Sequence, residues 1–515
     1  MKDKNVHQEG YSLVSNSAAT VETTECGKKF RNIEGMGWIV TCLFIVGETA
    51  GGGLIAMPSA MVSAGLIGGI IIIFLGAIIC AYTGHQLSEN WTILQERWPE
   101  YRHHCRKPYP AMGLRALGPA FMTVVSACLN VTMFGTAVVF LLLAAKNLEN
   151  FLHAYSDVEL GFCYLVLIVA AFMWPFTMLK SPKDFWWAVI GAMITTSIAV
   201  SLIVYGALMD SKVCMEHVNY PDIHLSKFFM SFGTVMFAYG GHGAFPTIQH
   251  DMRRPYHFKR SVFLAFLIVF LMYLPVSLLG YVTYGDSLRD SVIPSLQNFY
   301  VQQAVNFLIT LHVILALTII FNPLNQELEE FLNVPQDFGI QRILSRSVMM
   351  LAVIFVAETV PNFGVLLDLV GGSTITLMAL IFPIVFNLFL VAGRKKHNNM
   401  LAALDEAPPS LADVWRYTDK LKMTVNLLIL AFAVVGGIAA TLSALNVMAS
   451  SELSRPCYAG LFYPTEHASS VQNASLSVVH LGKVNCCGPF RNISVLGSLD
   501  YCLDPSISLS TGSHG

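Results

Sequence analysis

Charge is what this chain has least of. Asp, Glu, Lys and Arg make up 12% of 515 residues while 54% are hydrophobic, against about 25% charged in a typical soluble domain. That balance excludes a string of water-soluble domains and points to one polytopic membrane bundle. The net charge of -2 specifies no partner, and the basic residues sit in short loops, not in the continuous stripe a nucleic acid requires. No Gly-Lys-Ser or Gly-Lys-Thr closes a phosphate loop, and the 11 cysteines form no C-x-x-C pair. His103 and His104 lack a convincing set of nearby metal ligands. No enzyme, cofactor or metal site is therefore expected. Residues 1–34 lack the basic, apolar and small-residue order of a signal peptide and read as a mobile cytosolic tail.

What is present is a succession of apolar runs. They place spans at 37–59, 66–87, 121–145, 161–179, 184–208, 228–248, 261–284, 301–321, 342–360, 364–390 and 423–447. The ninth is the weakest of these spans, with a short apolar centre and Arg342 and Arg346 at one end, and a partly interfacial helix is its alternative. Lys28, Lys29 and Arg31 precede the first run. Further clusters at Arg97–Arg115, Lys180 and Lys183, Arg253–Arg260 and Arg394–Lys396 fall on the same side. The intervening loops are poor in Lys and Arg, so the N-terminus is expected in the cytosol. The stretch HDMRRPYHFKR also suits anionic lipid head groups.

An odd number of spans puts residues 448–515 outside the cell or in a lumen. This tail carries Cys457, Cys486, Cys487 and Cys502, with acceptor sequences for glycosylation at Asn473 and Asn492. Disulfides are available there, with the pairing undetermined and Cys214 as a further partner.

Two runs are interrupted in the same way. Residues 47–58 read GETAGGGLIAMP and residues 237–246 read FAYGGHGAFP. Each places glycines shortly before a proline inside a span. The first lies in span one and the second in span six, dividing ten helices into two sets of five, the sequence pointer to inverted repeats with a ligand site between them. Two kinked helices packed through small residues are the plainer alternative.

These residues carry a resemblance. GETAGGGLIAMPSAMVSAG at 47–65 and FAYGGHGAFPTIQHDMRRPYHF at 237–258 resemble the first and sixth helices of the amino acid/auxin permease family, including vesicular inhibitory, proton-coupled and neutral amino acid transporters. The resemblance covers about 35–447. It implies an all-α membrane protein with a leucine-transporter-like inverted-repeat core, an eleventh transmembrane helix, and alternating-access transport of a small amino acid. Ala50, Gly51, Gly52, Gly53 and Leu54 are then expected to offer backbone donors to the substrate carboxylate, with Tyr239, Gly240, Gly241 and His242 forming the opposite wall.

Glu48 is the conspicuous acid of the first span, and Asp368 lies inside another apolar run. Both are candidates for coupling or gating, each weighed against a structural polar contact. His312 and Asn322 are ambiguous, and Ser373 and Thr374 are too ordinary to specify sodium. The chain departs from the family by lacking an asparagine-rich approach to its first break, which leaves substrate subgroup and coupling mode open; the resemblance together with Glu48 favours a proton gradient, with a sodium gradient not excluded. A channel and a non-transporting amino acid sensor are the other readings. Oligomeric state and the particular membrane, plasma membrane or endomembrane vesicle or lysosome, are not specified.

Overall fold

The computed structural model describes residues 19–24, 27–32, 35–103, 105–156, 160–178, 186–215, 218, 220–335, 339–399, 408–449 and 456–458. The chain first forms an antiparallel hairpin of β1 (Ala19–Thr24) and β2 (Gly27–Asn32). The helices follow as α1 (Trp38–Thr49), α2 (Met57–Ala64), α3 (Leu66–Arg97), α4 (Pro108–Leu117), α5 (Pro119–Tyr155), α6 (Phe162–Thr177), α7 (Trp186–Cys214) and α8 (Leu225–Ala238). After them come α9 (Phe245–His250), α10 (Phe258–Tyr284), α11 (Phe299–Phe331), α12 (Ile340–Thr359), α13 (Phe363–Val370), α14 (Phe382–Asn399), α15 (Leu411–Tyr417) and α16 (Lys420–Ala449).

Among the described residues, 8 helices are long and apolar enough to cross a membrane, or 9 if the bent pair α1 and α2 is one span. Helix α6, at 16 residues, and the pair α8 and α9 fall outside that count. Helices suit this setting because lipid offers backbone groups no partner. The outer face is correspondingly apolar: Leu428, Val435 and Leu442, seven residues apart on α16, are each at least 60% exposed.

One expectation changes. Part of the supposed mobile tail is the β-hairpin, and it is tied to the bundle. The Asn32 N–H donates to the Arg253 carbonyl at 3.0 Å, the Met36 N–H to the Asp251 carbonyl at 3.0 Å, and the Arg253 N–H to the Met36 carbonyl at 2.8 Å. The ninth expected span, α12, does have the length and hydropathy of a span, against the partly interfacial alternative. Its arginines are buried against Glu329, with the Arg346 Nε 2.6 Å and the Arg342 Nε 3.3 Å from the carboxylate. Pairing is what makes such burial tolerable.

At the opposite end Cys163, at the start of α6, forms a disulfide with Cys457, beyond α16, with Cα atoms 5.6 Å apart. The Cys457 N–H donates to the Glu358 carbonyl at 2.8 Å, near the end of α12. Cys214, ending α7, is also disulfide-bonded. Cys163 was not anticipated as a partner. Cys486, Cys487, Cys502, Asn473 and Asn492 lie outside the described residues. These features define a hairpin end and a disulfide end of the bundle. In the connection after α14, Ser410 and Asp413 form a capping box at the start of α15; the backbone and hydroxyl bonds from Ser410 hold the Asp413 carboxyl below its ordinary range.

Candidate functional site

Both glycine-rich runs are real breaks. Helix α1 stops at Thr49, a short 3-10 turn covers Leu54–Ala56, and α2 resumes with Pro58 in its first turn; the two halves meet at 53°. Helix α8 stops at Ala238, Gly241–Gly243 make a 3-10 turn, and α9 resumes with Pro246 in its first turn. Proline suits a first turn because the amide it lacks would have no helical acceptor there.

The breaks are pressed together. A Cβ on Gly53 would stand 2.6 Å from the Ala238 Cα, and one on Gly241 would stand 2.8 Å from the Thr49 Oγ1. Only glycine permits that approach. Between them is a cavity of about 90 Å³ lined by both breaks, by α5 and α7, by α11, and by the stretch joining α13 to α14.

Backbone hydrogen bonds decide which part of the first break can bind a ligand. Ala50 donates to the Val46 carbonyl at 2.7 Å, Gly51 to Thr49 at 3.0 Å, and Leu54 to Gly51 at 3.0 Å. Those three expected donors are therefore already used. Among the described residues, the N–H groups of Gly52 and Gly53 have no backbone acceptor.

The side chains sort in the same way. Glu48, Gly51, Gly52, Gly53, Gly240 and Gly241 line the cavity. Glu48 is exposed to it while Gly47 and Thr49 on either side are buried. Ala50, Leu54, Tyr239 and His242 are buried and absent from its lining. The His242 Nε2 lies 3.1 Å from the Thr83 hydroxyl and 3.0 Å from the Cys80 carbonyl, so this imidazole anchors the second break to α3. Asp368 accepts a hydrogen bond from the Thr234 hydroxyl, joining α13 to α8 away from the cavity. Ser373 and Thr374 do not line it either.

Several lining residues were not anticipated as site residues. Thr132 and Thr136 on α5 return their hydroxyl protons to their own helix, each bond 2.8 Å long, which leaves their oxygens as acceptors. His312 on α11 is held at Nδ1, 2.8 Å from the Thr196 hydroxyl and 3.1 Å from the Ala192 carbonyl. Its Nε2 occupies the space beside Gly51, where a Cβ would come within 2.7 Å. Their sequence signals are weak: a polar i, i+4 pair and one histidine inside apolar runs.

Helix α5 is packed unevenly along its length. All nine residues 137–145 of α5 are buried, so that stretch of the helix is wrapped on every face. Toward the hairpin end a full turn, 121–124, is exposed. Phe140 and Phe237 meet edge to face with centroids 6.4 Å apart where the wrapped stretch begins.

Among the described residues, one cluster has metal-ligand composition, Cys163, Glu358 and Cys457. Its two sulfurs form the disulfide, which removes them as thiolate ligands.

A helical membrane protein with a ligand-sized cavity between two broken helices is the class these features define. Residues 34–405 match the family described as Transmembrane amino acid transporter protein, and the chain belongs to that family. The resemblance read from the two breaks is thereby borne out, and the family is one of transporters, not enzymes. The chain is similar to Amino acid transporter AVT1B of Arabidopsis thaliana, 25% identical over 66% of this chain and 62% of that protein. It is also similar to Lysine histidine transporter-like 1 of Arabidopsis thaliana, 24% identical over 70% of this chain and 81% of that protein. The matches to AVT1B, AVT1D and AVT1E span 62%, 62% and 64% of those proteins' lengths.

Proposed function

We propose that this chain moves small, neutral amino acids across a membrane by alternating access, coupled to protons. The observation that carries the reading is that Gly52 and Gly53, whose N–H groups have no backbone acceptor, line a cavity shared with the second break. They suit a carboxylate, as peptide N–H groups at helix interruptions do. The names of the plant relatives, an amino acid transporter and a lysine histidine transporter-like protein, agree with an amino acid cargo.

In this reading the bent α1 and α2, the pair α8 and α9, and α6 each cross once, giving eleven spans with two sets of five forming a leucine-transporter-like core. The hairpin end is cytosolic. The disulfide end, with Asn473 and Asn492, is extracellular or lumenal, which the Cys163–Cys457 bridge supports because such bonds persist in oxidising compartments. Glu48 carries the coupling proton: it is an acid facing an accessible cavity inside a membrane helix. The Asp368 contact with Thr234 belongs to the closed outer gate.

The purified full chain in proteoliposomes tests this, using a labelled mixture of the standard amino acids with pH gradient and membrane potential set independently. Concentrative uptake driven by an imposed pH gradient, with measurable proton movement, is expected. Saturable binding with no flux would make the protein a sensor, and steady current without exchange would make it a channel.

A further inference from the structure

One nitrogen at the cavity wall has its ring fixed from behind and no partner in front. His312 is 1% exposed and lines the space between the two helix breaks. Its hydrogen bonds are both made at Nδ1, with the Thr196 hydroxyl at 2.8 Å and the Ala192 carbonyl at 3.1 Å, two groups of α7. Among the described residues, Nε2 has no hydrogen-bond partner. It stands over Gly51, where an added Cβ would come within 2.7 Å of it. A buried polar atom left alone is costly, and such atoms are kept where a water or a ligand completes them.

The anchor also decides what Nε2 can do. A backbone carbonyl only accepts, so an unprotonated Nδ1 beside the Ala192 oxygen would set lone pair against lone pair. Nδ1 of the neutral ring therefore carries the proton and donates it toward that carbonyl, which leaves Nε2 as the acceptor. The next residues along the break, Gly52 and Gly53, have N–H groups with no backbone acceptor and line the same cavity. An acceptor over Gly51 and donors at the following glycines are the order a zwitterion needs, because an α-amino acid carries its ammonium and its carboxylate on neighbouring carbons.

We propose that the His312 Nε2 accepts a hydrogen bond from the ammonium of a small, neutral amino acid, and so selects ligands that keep an N–H on that nitrogen. The inference rests on the transport reading above and deepens it by naming a substrate-binding residue. Glu48 lines the same cavity, yet a carboxylate attracts any cation, whereas a ring nitrogen with one lone pair needs an N–H to receive. A donor-free ammonium separates the two.

The test is exchange of the labelled amino acid mixture by the full chain in proteoliposomes, with glycine and L-alanine as competitors beside their N,N-dimethyl and N,N,N-trimethyl derivatives. The dimethyl compounds keep one N–H and nearly all of the added bulk. The trimethyl compounds keep the charge and have no N–H. In the wild type, the last methyl should weaken competition about tenfold, and more than the first two together. In His312→Leu that last step should shrink to within about twofold, because the parent amino acids lose affinity; His312→Gln, whose side-chain carbonyl accepts, should recover part of it. Weakening spread evenly over the methyl groups, no competition by glycine or L-alanine, or a wild-type last step surviving in His312→Leu would each overturn the inference while leaving transport intact. The wild-type series still decides if His312→Leu fails to fold. Absence of flux and exchange under every gradient would remove the transport reading and this inference together.

Discussion

The two helix breaks look alike in sequence and are held in different ways. The second is fastened to α3 through His242, whose ring contacts the Thr83 hydroxyl and the Cys80 carbonyl. At the first, Gly51, Gly52 and Gly53 instead abut His312, Phe140 and Ala238, one neighbour each from α11, α5 and α8. Unused donors and an exposed carboxylate occur at this first break, at Gly52, Gly53 and Glu48. In the transport reading proposed above, the second break is the wall anchored to α3 and the first brings the carboxylate to the cavity.

The sharpest way to break that comparison is to force the two breaks apart. In Gly53→Leu the new Cβ meets the Ala238 Cα at 2.6 Å, and backbone cannot yield as a flexible side chain would. Overpacking of this kind typically costs about 1–3 kcal/mol. Transport should fall about 100-fold, equivalent to about 2.7 kcal/mol in a barrier, while membrane-inserted protein is retained. Purified uptake normalised to folded protein checks it, and near-normal uptake would remove Gly53 from the site.

Glu48→Gln should have the smaller effect and sharpens the assignment of coupling to the first break. Glutamine keeps the size of the side chain and loses the titratable charge. Accumulation driven by a pH gradient should drop about tenfold, with exchange of internal for external amino acid preserved. Unchanged proton-to-substrate stoichiometry would return Glu48 to a structural role.

The glycine clusters were legible because a break in a membrane helix needs small residues and a following proline, and both runs carry them. Which amides stay unused was not legible. Ala50 continues the α1 ladder to Val46, and the 3-10 turn consumes Leu54; such details depend on where a helix frays, not on composition. Tyr239 and His242 were placed in the right segment, yet their side chains turn toward Tyr273 and α3 and not toward the cavity. Tyr273, whose hydroxyl donates to the Ala238 carbonyl at 2.8 Å, sits in an unbroken apolar run, where a tyrosine carries no signal until another helix supplies its acceptor. Cys163 was hidden for a similar reason, since pairing across a separation of 294 residues cannot be read from spacing. The 19–32 hairpin escaped because its polar composition matches that of a loose tail.

Substrate-driven counterflow tests the central claim most directly, because it needs a ligand site that opens to each side in turn and needs no assumption about the driving ion. Proteoliposomes containing the wild-type chain would be loaded with the unlabelled standard amino acids and diluted into a trace of the labelled mixture, with no pH, voltage or Na⁺ gradient. The account predicts a transient overshoot of internal label in the wild type and none in Gly53→Leu. Passive equilibration without overshoot in the wild type, or an overshoot of equal size in Gly53→Leu, would contradict it.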